Sequence, residues 1–331
     1  MEKFNWNGKK VLVTGAGGFI GSHLAECLVK LGAKVRALVH YNSFGRWGWL
    51  DESDHKTDME VILGDIADRD SVAGAVSGQE IVFHLAALIG IPYSYQAVNS
   101  YVQANILGTV NVLQAARQSN ISCLVHTSTS ETYGTAQYVP INEKHPAVGQ
   151  SPYSATKIGA DQIALSFQKS FSLPVKIARP FNTYGPRQSA RAIIPAIIIQ
   201  ILNGKREINL GSLSPKRDFI YVKDTARGFI EIAESKSLIG EAANIGSGSE
   251  ISIGNLAELI ASLMGEKIEI AKDASRLRPD DSEVQRLCCD NTKLRQNSSW
   301  HPEYSLEKGL DETIKWFRAN LKRYKADIYN V

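Results

Sequence analysis

The glycine-rich segment Gly15–Gly21 constrains the fold of this chain more than any other stretch. It reads G-A-G-G-F-I-G and lies between an apolar segment, Lys9–Thr14, and an amphipathic segment, Phe19–Leu31. We predict a strand for the first of these segments and a helix for the second. In such a position the first glycine allows a tight turn, Gly18 lets backbone N–H groups approach a pyrophosphate, and the last glycine lets helix and strand pack closely. The motif therefore predicts a dinucleotide-binding unit.

Apolar segments of strand length alternate with longer helical segments through the first part of the chain. The further predicted strands here are Lys34–Val39, Glu60–Gly64, Ile81–Ala87, Leu124–Thr129 and Val175–Ala178. The further predicted helices are Ser94–Ser119 and Tyr153–Ser170. Alternating strands and helices predict right-handed crossovers between parallel strands. We therefore predict an α/β fold with a Rossmann-type doubly wound parallel sheet.

The regular alternation ends after the motif R-P-F-N-T-Y-G-P-R at Arg179–Arg187. The predicted strands beyond it are Ile208–Leu210, Arg217–Asp224, Ala242–Ile245 and Lys267–Ala271. The predicted helices are Ala192–Leu202, Ala226–Glu234, Ile253–Met264 and Ser305–Leu321. These pieces are too interleaved for an independent domain, and they predict a smaller C-terminal substrate lobe that closes over the strand ends. Residues 1–182 and 221–247 would form the NAD(P)-binding Rossmann domain, and residues 183–220 and 248–331 the substrate-binding lobe.

A tyrosine and a lysine lie one helical turn apart and follow a strand that ends in a hydroxyl group. Tyr153 and Lys157 are four residues apart, so their side chains leave the same helix face. Together with Thr129 at the strand end, they form the pattern of a nicotinamide-dependent redox site. We expect the lysine ammonium to lower the pKa of the phenol, so that the tyrosine exchanges a proton near neutral pH. Glu131 adds a second acid/base group, which indicates chemistry beyond a simple oxidation.

The end of the second predicted strand favours NADP over NAD. An acid at this position hydrogen-bonds the free ribose of NAD, but here Val39 occupies it. The polar and basic residues that follow are suited to a 2′-phosphate instead: His40, Asn42, Ser43 and Arg46.

Other cofactor contacts are expected where the strand ends converge. Asp65 and Ile66 follow the third strand and suit the adenine edge, and Leu85, Ala86 and Ala87 are small enough to leave room for the cofactor. The remaining candidates are Gly15, Phe19, Ile20, Gly21, Asn105, Thr127 and Pro180.

Composition excludes several other classes of function. The chain has 331 residues, a net charge of +3 and 44% hydrophobic residues, with no long basic run. These values predict neither a nucleic-acid partner nor a membrane surface. The four cysteines show no metal-ligand spacing and no disulfide framework, so we expect no metal site and a cytoplasmic protein with reduced thiols.

The chain resembles the extended short-chain dehydrogenase/reductases that act on nucleotide sugars. The resemblance covers nearly the whole chain, and it is carried by the glycine loop, Leu85–Ala87, Tyr153–Lys157, R-P-F-N-T-Y-G-P-R at Arg179–Arg187 and R-D-F-I-Y-V-K-D at Arg217–Asp224. It implies a tightly bound NAD(P), a nucleotide-sugar substrate, and a homodimer through helices 94–119 and 153–170. It further implies substrate contacts at Asn182, Arg187, Arg191, Arg217 and Arg278.

Within this family, the resemblance favours 4,6-dehydratases. In the glucose-type dehydratases an aspartate precedes the catalytic glutamate, whereas here that residue is Ser130, which we include among the catalytic candidates. The order T-S-E at Thr129–Glu131 is instead similar to the GDP-mannose 4,6-dehydratases, as is the pattern R-P…E-V that begins at Arg278. The resemblance implies oxidation at C4, loss of water across C5 and C6, and return of hydride to C6.

Three further phrases are similar to the dehydratases of legionaminic-acid-type pathways. They are Y-N-S-F-G-R-W-G-W-L at Tyr41–Leu50, S-A-R-A-I-I-P at Ser189–Pro195 and G-S-L-S-P-K-R-D at Gly211–Asp218. They imply a UDP- or GDP-linked N-acetylglucosamine as the substrate and its 4-keto-6-deoxy derivative as the product.

Three alternatives stay open at this point. UDP-glucuronic acid decarboxylases share the S-T-S-E-x-Y-G strand end, but Asp280, Asp281 and Glu283 are expected to repel a substrate carboxylate. A 4-epimerase requires only the oxidation and reduction at C4. A nucleotide-binding protein without turnover is disfavoured by the intact Tyr153, Lys157, Thr129 and Glu131.

Overall fold

The computed structural model describes residues 4–324, which contain thirteen strands and eleven α-helices. The strands are β1 (Lys10–Thr14), β2 (Lys34–His40), β3 (Met59–Gly64), β4 (Ile81–His84), β5 (Cys123–Thr127), β6 (Val175–Pro180), β7 (Asn182–Tyr184), β8 (Glu207–Leu210), β9 (Lys216–Arg217), β10 (Phe219–Tyr221), β11 (Ala242–Ile245), β12 (Ile251–Ser252) and β13 (Glu269–Lys272). The helices are α1 (Phe19–Lys30), α2 (Arg69–Val76), α3 (Ile91–Ser94), α4 (Val98–Tyr101), α5 (Gly108–Gln118), α6 (Pro152–Phe171), α7 (Ile193–Leu202), α8 (Val222–Glu234), α9 (Ile253–Met264), α10 (Thr292–Asn297) and α11 (Leu306–Asn320).

Seven strands form one parallel sheet in the order β3-β2-β1-β4-β5-β6-β11. Val11 and Val13 of β1 belong to the apolar core on one face of this sheet, and Leu12 belongs to the core on the other face. Burial on both faces explains why these strands are almost uniformly apolar. The strand order reverses between β1 and β4, where a doubly wound sheet opens a crevice at its carboxyl edge. The predicted Rossmann-type fold is confirmed.

The smaller lobe consists of three two-stranded pairings and the helices that pack on them. β8 pairs with β13, β7 with β10, and β9 with β12. A second apolar core joins α7, α9 and α11, and it includes the buried Ile197, Leu256 and Ile314. The chain returns from this lobe to the main sheet at β11. The proposed division into 1–182 with 221–247 and 183–220 with 248–331 stays a prediction, and residues 325–331 lie outside the described part.

The predicted helix Ser94–Ser119 is wrong in its first turn and in its regularity. α3 ends at Ser94, the chain is irregular at residues 95–97, and helix resumes at Val98. Residues Val102–Leu107 then form a π-helical segment before α5. This widened segment contains Asn105, whose side-chain amide bonds to both the backbone N–H and the carbonyl of Leu88. Its side-chain bonds thus link the helix to the loop that follows β4.

Two predicted strands also end differently from the expectation. Ile81–Ala87 was predicted as one strand, but β4 ends at His84 because the N–H groups of Leu85 and Ala86 both donate to the Thr14 hydroxyl. Arg217–Asp224 was predicted as a strand, but it divides into β9, β10 and the first turn of α8. Asp218 interrupts it, since its carboxylate accepts hydrogen bonds from the backbone of Ser247, Gly248 and Cys289.

The last short strand is displaced from its predicted position. Lys267–Ala271 was expected, whereas β13 spans Glu269–Lys272 and pairs in parallel with β8.

Among residues 4–324, no helix has the length and apolar character that a membrane crossing requires.

Candidate active site

The glycine loop between β1 and α1 has the geometry of an anion cradle. Gly15 has φ of +70°, and a Cβ there would lie 2.8 Å from the backbone N of Ala86. A Cβ on Gly21 would lie 2.2 Å from the carbonyl oxygen of Gly15, so helix and loop touch through backbone alone. α1 begins after Gly18 with no side-chain cap and no acid in its first turn. Its unpaired N–H groups and positive helix end therefore fit the pyrophosphate of a dinucleotide.

A valine at Gly15 is expected to reduce NAD(P) affinity. A β-branched residue at positive φ costs about 1–3 kcal/mol in strain, and its side chain would meet the Ala86 backbone. We expect the dissociation constant for NAD(P) in Gly15→Val to rise about tenfold or more, as measured by calorimetric titration. Gly74→Ala is the matched control, because that glycine lies in α2 with no atom within 4 Å of an added Cβ. Unchanged cofactor affinity in Gly15→Val would contradict the cradle.

β5 delivers two of the proposed catalytic side chains to the cleft. After Thr127 the strand ends, and Thr129 caps a 3₁₀ turn over Ser130–Tyr133 by accepting a hydrogen bond from the N–H of Glu131. This turn brings Thr129 and Glu131 to the cleft wall. Ser130 differs from the expectation: it is buried and does not line the cleft. Its side chain is not positioned to reach a sugar, so its predicted catalytic role is not supported by this geometry.

Tyr153 and Lys157 lie in the first turns of α6, and capping of this helix fixes the residue at which it begins. Ser151 and Ser154 form a capping box, so the helix begins at a defined residue. Tyr153 lines the cleft, whereas Lys157 is buried behind the wall. The two side chains share one helix face, as the spacing predicted.

The expected effect of the lysine on the phenol is not what the structure gives. Burial raises the pKa of Tyr153 well above its usual range, and the hydrogen bond with Thr129 acts in the opposite direction. Glu131 contributes a further rise through its negative charge. Burial also lowers the pKa of the Lys157 ammonium, to about 8. Burial is thus the largest influence on the pKa of both groups, rather than the Tyr–Lys interaction that we had expected to dominate.

One cleft of about 1860 Å³ gathers most of the predicted site residues. On the cofactor side it is lined by Gly15, Gly18, Phe19, Ile20, Gly21, His40, Asn42, Arg46, Asp65, Ile66, Leu85, Ala86, Ala87, Thr127 and Pro180. On the proposed substrate side it is lined by Thr129, Glu131, Tyr153, Asn182, Arg191, Arg217 and Arg278. Their assigned roles stay predictions, but their convergence at the carboxyl edge of a parallel sheet is where ligands bind in such folds.

Three other predicted residues do not line this cleft. Arg187 was expected to clamp substrate phosphate, but its guanidinium pairs with Glu26 at 2.9 Å and donates to the Ser22 hydroxyl at 3.1 Å. It therefore fastens the segment after β7 to α1. Ser43 is exposed on a loop, and Asn105 is buried behind the wall, where it donates to the Thr156 hydroxyl and to the Leu88 carbonyl.

Sequence reasoning missed the residues that join the two sides of the cleft. The Tyr95 hydroxyl is 2.6 Å from the Ser282 hydroxyl, and the Gln150 amide donates to the Asp281 carbonyl at 2.8 Å. Glu283 lines the cleft and accepts from Arg217 at 2.9 Å, with Arg278 at 3.6 Å. The contacts of Tyr95, Gln150 and Arg217 link residues far apart in the chain, and no local pattern marks these pairings.

Comparisons with known proteins agree with this geometry. Residues 12–313 match the family model for GDP-mannose 4,6 dehydratase. A dTDP-glucose 4,6-dehydratase from Actinoplanes sp. is 30% identical over 318 residues, which cover 94% of this chain and 98% of that protein.

Two solved structures of nucleotide-sugar enzymes have the same fold as this chain. A UDP-N-acetylglucosamine 4-epimerase from Methanobrevibacter ruminantium M1, in complex with UDP-N-acetylmuramic acid, is 31% identical with a TM-score of 0.85, covering 95% of this chain and 99% of that one. A DesIV double mutant, a dTDP-glucose 4,6-dehydratase from Streptomyces venezuelae with NAD and DAU bound, is 27% identical with a TM-score of 0.85, covering 95% of this chain and 98% of that one. The glycine cradle, the Tyr–Lys pair and these matches together identify the chain as a member of the GDP-mannose 4,6-dehydratase family, within the extended short-chain dehydrogenase/reductases.

Proposed function

We propose that the protein is a nucleotide-sugar 4,6-dehydratase that converts an NDP-linked N-acetylglucosamine into its 4-keto-6-deoxy derivative. The observation that carries this proposal is that Tyr153, Glu131 and Thr129 all line one cleft, with Thr129 and Glu131 both close enough to the phenol to influence its pKa. An oxidation at C4 requires one base, and an elimination across C5 and C6 requires another. The cleft supplies both.

Each residue has a defined part in the proposed reaction. A bound nicotinamide would accept a hydride from C4 and return it to C6. Tyr153 takes the proton of the 4-hydroxyl, and Thr129 holds that oxygen. The new C4 ketone acidifies the C5 proton, which Glu131 removes. Glu131 then gives the proton to the departing 6-hydroxyl, so that water leaves. C5 regains a proton that Glu131 takes up from solvent as the hydride reaches C6, and Tyr153 releases to solvent the proton that it took from the 4-hydroxyl.

NADP as the preferred cofactor is part of this proposal. It is supported by the absence of an acid at the end of β2 and by the position of Arg46 on the cleft. The Asn42 side chain holds the Arg46 backbone by accepting from its N–H and donating to its carbonyl, and this fixes the loop. The DesIV relative contains NAD, which favours the other choice. Titration of the cofactor-free protein with NAD and NADP measures the preference.

An N-acetylglucosamine substrate is supported by the phrases similar to legionaminic-acid-type dehydratases and by the UDP-N-acetylglucosamine 4-epimerase among the structural relatives. Mass spectrometry of the products from UDP- and GDP-N-acetylglucosamine tests the whole proposal. Loss of the mass of water supports the dehydratase. An isomer of unchanged mass identifies an epimerase, and no turnover of any nucleotide sugar refutes the assignment.

A decarboxylase is the second candidate, and one observation favours it more than the sequence did. Asp280 and Asp281 were expected to repel a substrate carboxylate, but neither lines the cleft. Glu283 does, yet its charge is offset by Arg217 and Arg278. The guanidiniums of Arg217 and Arg278 are the groups that would hold the carboxylate of an acidic sugar, although Glu131 also acts on Arg217. Release of carbon dioxide from UDP-glucuronic acid distinguishes this activity.

We also propose a homodimer through the helices of residues 98–118 and 152–171. A cytoplasmic location belongs to the proposal as well, because nucleotide sugars and nicotinamide cofactors are available there. Apolar side chains are exposed on both helical segments, among them Val98, Val102, Leu107 and Phe171. Exposed apolar side chains on helical segments that pack against each other are typical of an interface between subunits.

A charge on this face is expected to separate the subunits. Leu107 is 43% exposed in the π-helical segment, so glutamate there disturbs the monomer little but is desolvated in a dimer. We expect Leu107→Glu to elute as a monomer in size-exclusion chromatography with light scattering. Leu263→Glu, at 40% exposure on α9, is the matched control and should leave the assembly unchanged. If both variants behave alike, this face is not the interface.

A further inference from the structure

A cluster of ionisable side chains is buried behind the wall that carries Tyr153. At its centre, the carboxylate of Asp161 accepts hydrogen bonds from the Ser128 hydroxyl at 2.6 Å and from the Arg179 guanidinium at 2.8 Å. Its other oxygen lies 3.4 Å from Nε2 of His126, without hydrogen-bond geometry. Asp161 is 3% exposed and His126 is fully buried. None of the steps proposed above uses this carboxylate.

The cluster is connected to the proposed catalytic groups along two routes. Asp161 follows Lys157 by one turn of α6, on the face that also carries Tyr153. Through Ser128, it also touches the strand end directly before Thr129. Ser128 is held there from both sides, since its N–H donates to the Ala178 carbonyl at 2.8 Å and its hydroxyl donates to Asp161. The same carboxylate therefore lies on the helix that carries Tyr153 and Lys157 and bonds to the strand end before Thr129.

We propose that Asp161 is a positioning residue: it is the counter-ion that keeps the buried Lys157 protonated, and it fixes the strand end that carries Thr129. The kinetic part of this inference rests on the proposed function, whereas the electrostatic part does not. Asp161 does not line the cleft, so it acts through Lys157 and Ser128 rather than on the sugar or the cofactor.

The charges that face Lys157 support this role. The charge of Lys157 acts on His84 in β4 and on His126 in β5. Burial lowers the pKa of both imidazoles, which favours their neutral forms at pH 7. The pKa of Asp161 is held below its usual range by His126, Arg179 and Ser128 despite the raising effect of burial. Burial lowers the pKa of Lys157, and Asp161 is the group that opposes this. The cluster thus holds two buried cations, Lys157 and Arg179, and one buried anion, Asp161, and the partly buried Glu143 also faces Arg179.

This balance of charges predicts that two substitutions shift the pKa of Lys157 in opposite directions. Asp161→Asn removes the carboxylate that opposes the desolvation of Lys157, which lowers the pKa of Lys157. Arg179→Gln removes the cation that competes with Lys157 for the Asp161 carboxylate, which raises the pKa of Lys157. Both variants lose hydrogen bonds within the cluster, two at Asp161 and three at Arg179. A purely structural cluster would therefore weaken the fold in both but would not move the lysine in opposite directions.

The direct test follows Lys157 by NMR in the cofactor-free protein, with ¹³Cε-labelled lysine and with the signal assigned by its loss in Lys157→Met. The wild-type signal is expected to titrate near the pKa of about 8. It should shift down by about one unit or more in Asp161→Asn and up in Arg179→Gln. Asp224→Asn is the matched control, because that buried carboxylate also pairs with an arginine, Arg227, but lies outside the cluster. It should leave the titration unchanged.

The kinetic test uses the pH profile of the full reaction. If the active form carries ionised Tyr153 and protonated Lys157, the rate rises with pH and levels off at the pKa of the lysine. Asp161→Asn should level off at lower pH, with the plateau value of kcat reduced about tenfold for each unit by which the pKa of Lys157 falls and with KM nearly unchanged, and Asp161→Glu should restore part of the rate.

Each outcome has a defined meaning. Titrations that do not move, or that move in the same direction in both variants, overturn the inference. If Asp161→Asn does not fold, Arg179→Gln decides alone, and an unshifted or lowered titration refutes the counter-ion role. Absence of turnover in the wild-type protein refutes the proposed function but leaves the NMR test intact.

Discussion

Tyr153→Phe is expected to reduce turnover of the nucleotide sugar by a factor of about 10²–10⁴, the usual effect of a lost general base. Only one hydroxyl group is removed, and the ring keeps its edge-to-face contact with Tyr101, at a centroid distance of 6.3 Å. Substrate affinity should therefore be nearly unchanged. A single-turnover assay of cofactor reduction at 340 nm, combined with calorimetric titration of the substrate, measures the two effects separately.

The wild-type pH profile provides an internal check on this assignment. Because burial raises the pKa of Tyr153, the phenolate is the minor form at neutral pH, and the oxidation rate should increase with pH across that range. Tyr184→Phe is the matched control, since Tyr184 is equally buried and donates to the Leu306 carbonyl but does not line the cleft. If Tyr153→Phe retains more than about one tenth of the activity, the phenol is not the base.

Glu131→Gln should block water elimination while it spares the first oxidation. The amide keeps the size and hydrogen-bonding capacity of the side chain but can neither take nor return a proton at C5 and C6. We expect product formation to fall by about 10²–10⁴-fold, with reduced cofactor still appearing in the first turnover. Incubation in D₂O followed by mass spectrometry tests the step directly, because deuterium should enter at C5 in the wild-type enzyme and not in the variant.

A matched control for Glu131 is available in the same region of the chain. Glu143 is a partly buried carboxylate that accepts a hydrogen bond from the Asn244 N–H at 2.8 Å and does not line the cleft. Glu143→Gln should leave deuterium uptake and product formation unchanged. Normal elimination in Glu131→Gln would remove the main support for the dehydratase and favour the 4-epimerase.

The sequence predicted the main sheet well because its signals are local. A glycine loop between an apolar strand and an amphipathic helix defines its own structure, and β1 and α1 lie where the pattern placed them. Errors arose where a contact distant in sequence decides the local structure. β4 ends early because Thr14 captures the next two N–H groups, and Asp218 divides the strand predicted at Arg217–Asp224 by bonding to a later loop.

The candidate site shows the same limit. The spacing of Tyr153 and Lys157 predicted their shared helix face, and the same spacing extended by one turn points to Asp161, which we had not singled out. The arginines were harder to assign. Arg187 and Arg217 both stand in polar motifs, but the first pairs with Glu26 away from the cleft and the second lines it. The tertiary partner of each guanidinium distinguishes the structural role of Arg187 from the cleft-lining role of Arg217. The local sequence does not indicate a partner that lies on another element.

The position of β11 at the edge of the sheet has a consequence for synthesis on the ribosome. β11 pairs with β6 in parallel, with Ala242 opposite Ile177, although the chain passes through the smaller lobe between them. A nascent chain therefore exposes the outer edge of β6 until Ala242–Ile245 has been translated. An unpaired apolar strand edge invites association with other chains. We expect the partly synthesised protein to depend on chaperones at this stage, and the finished one to lose that dependence once the strand docks.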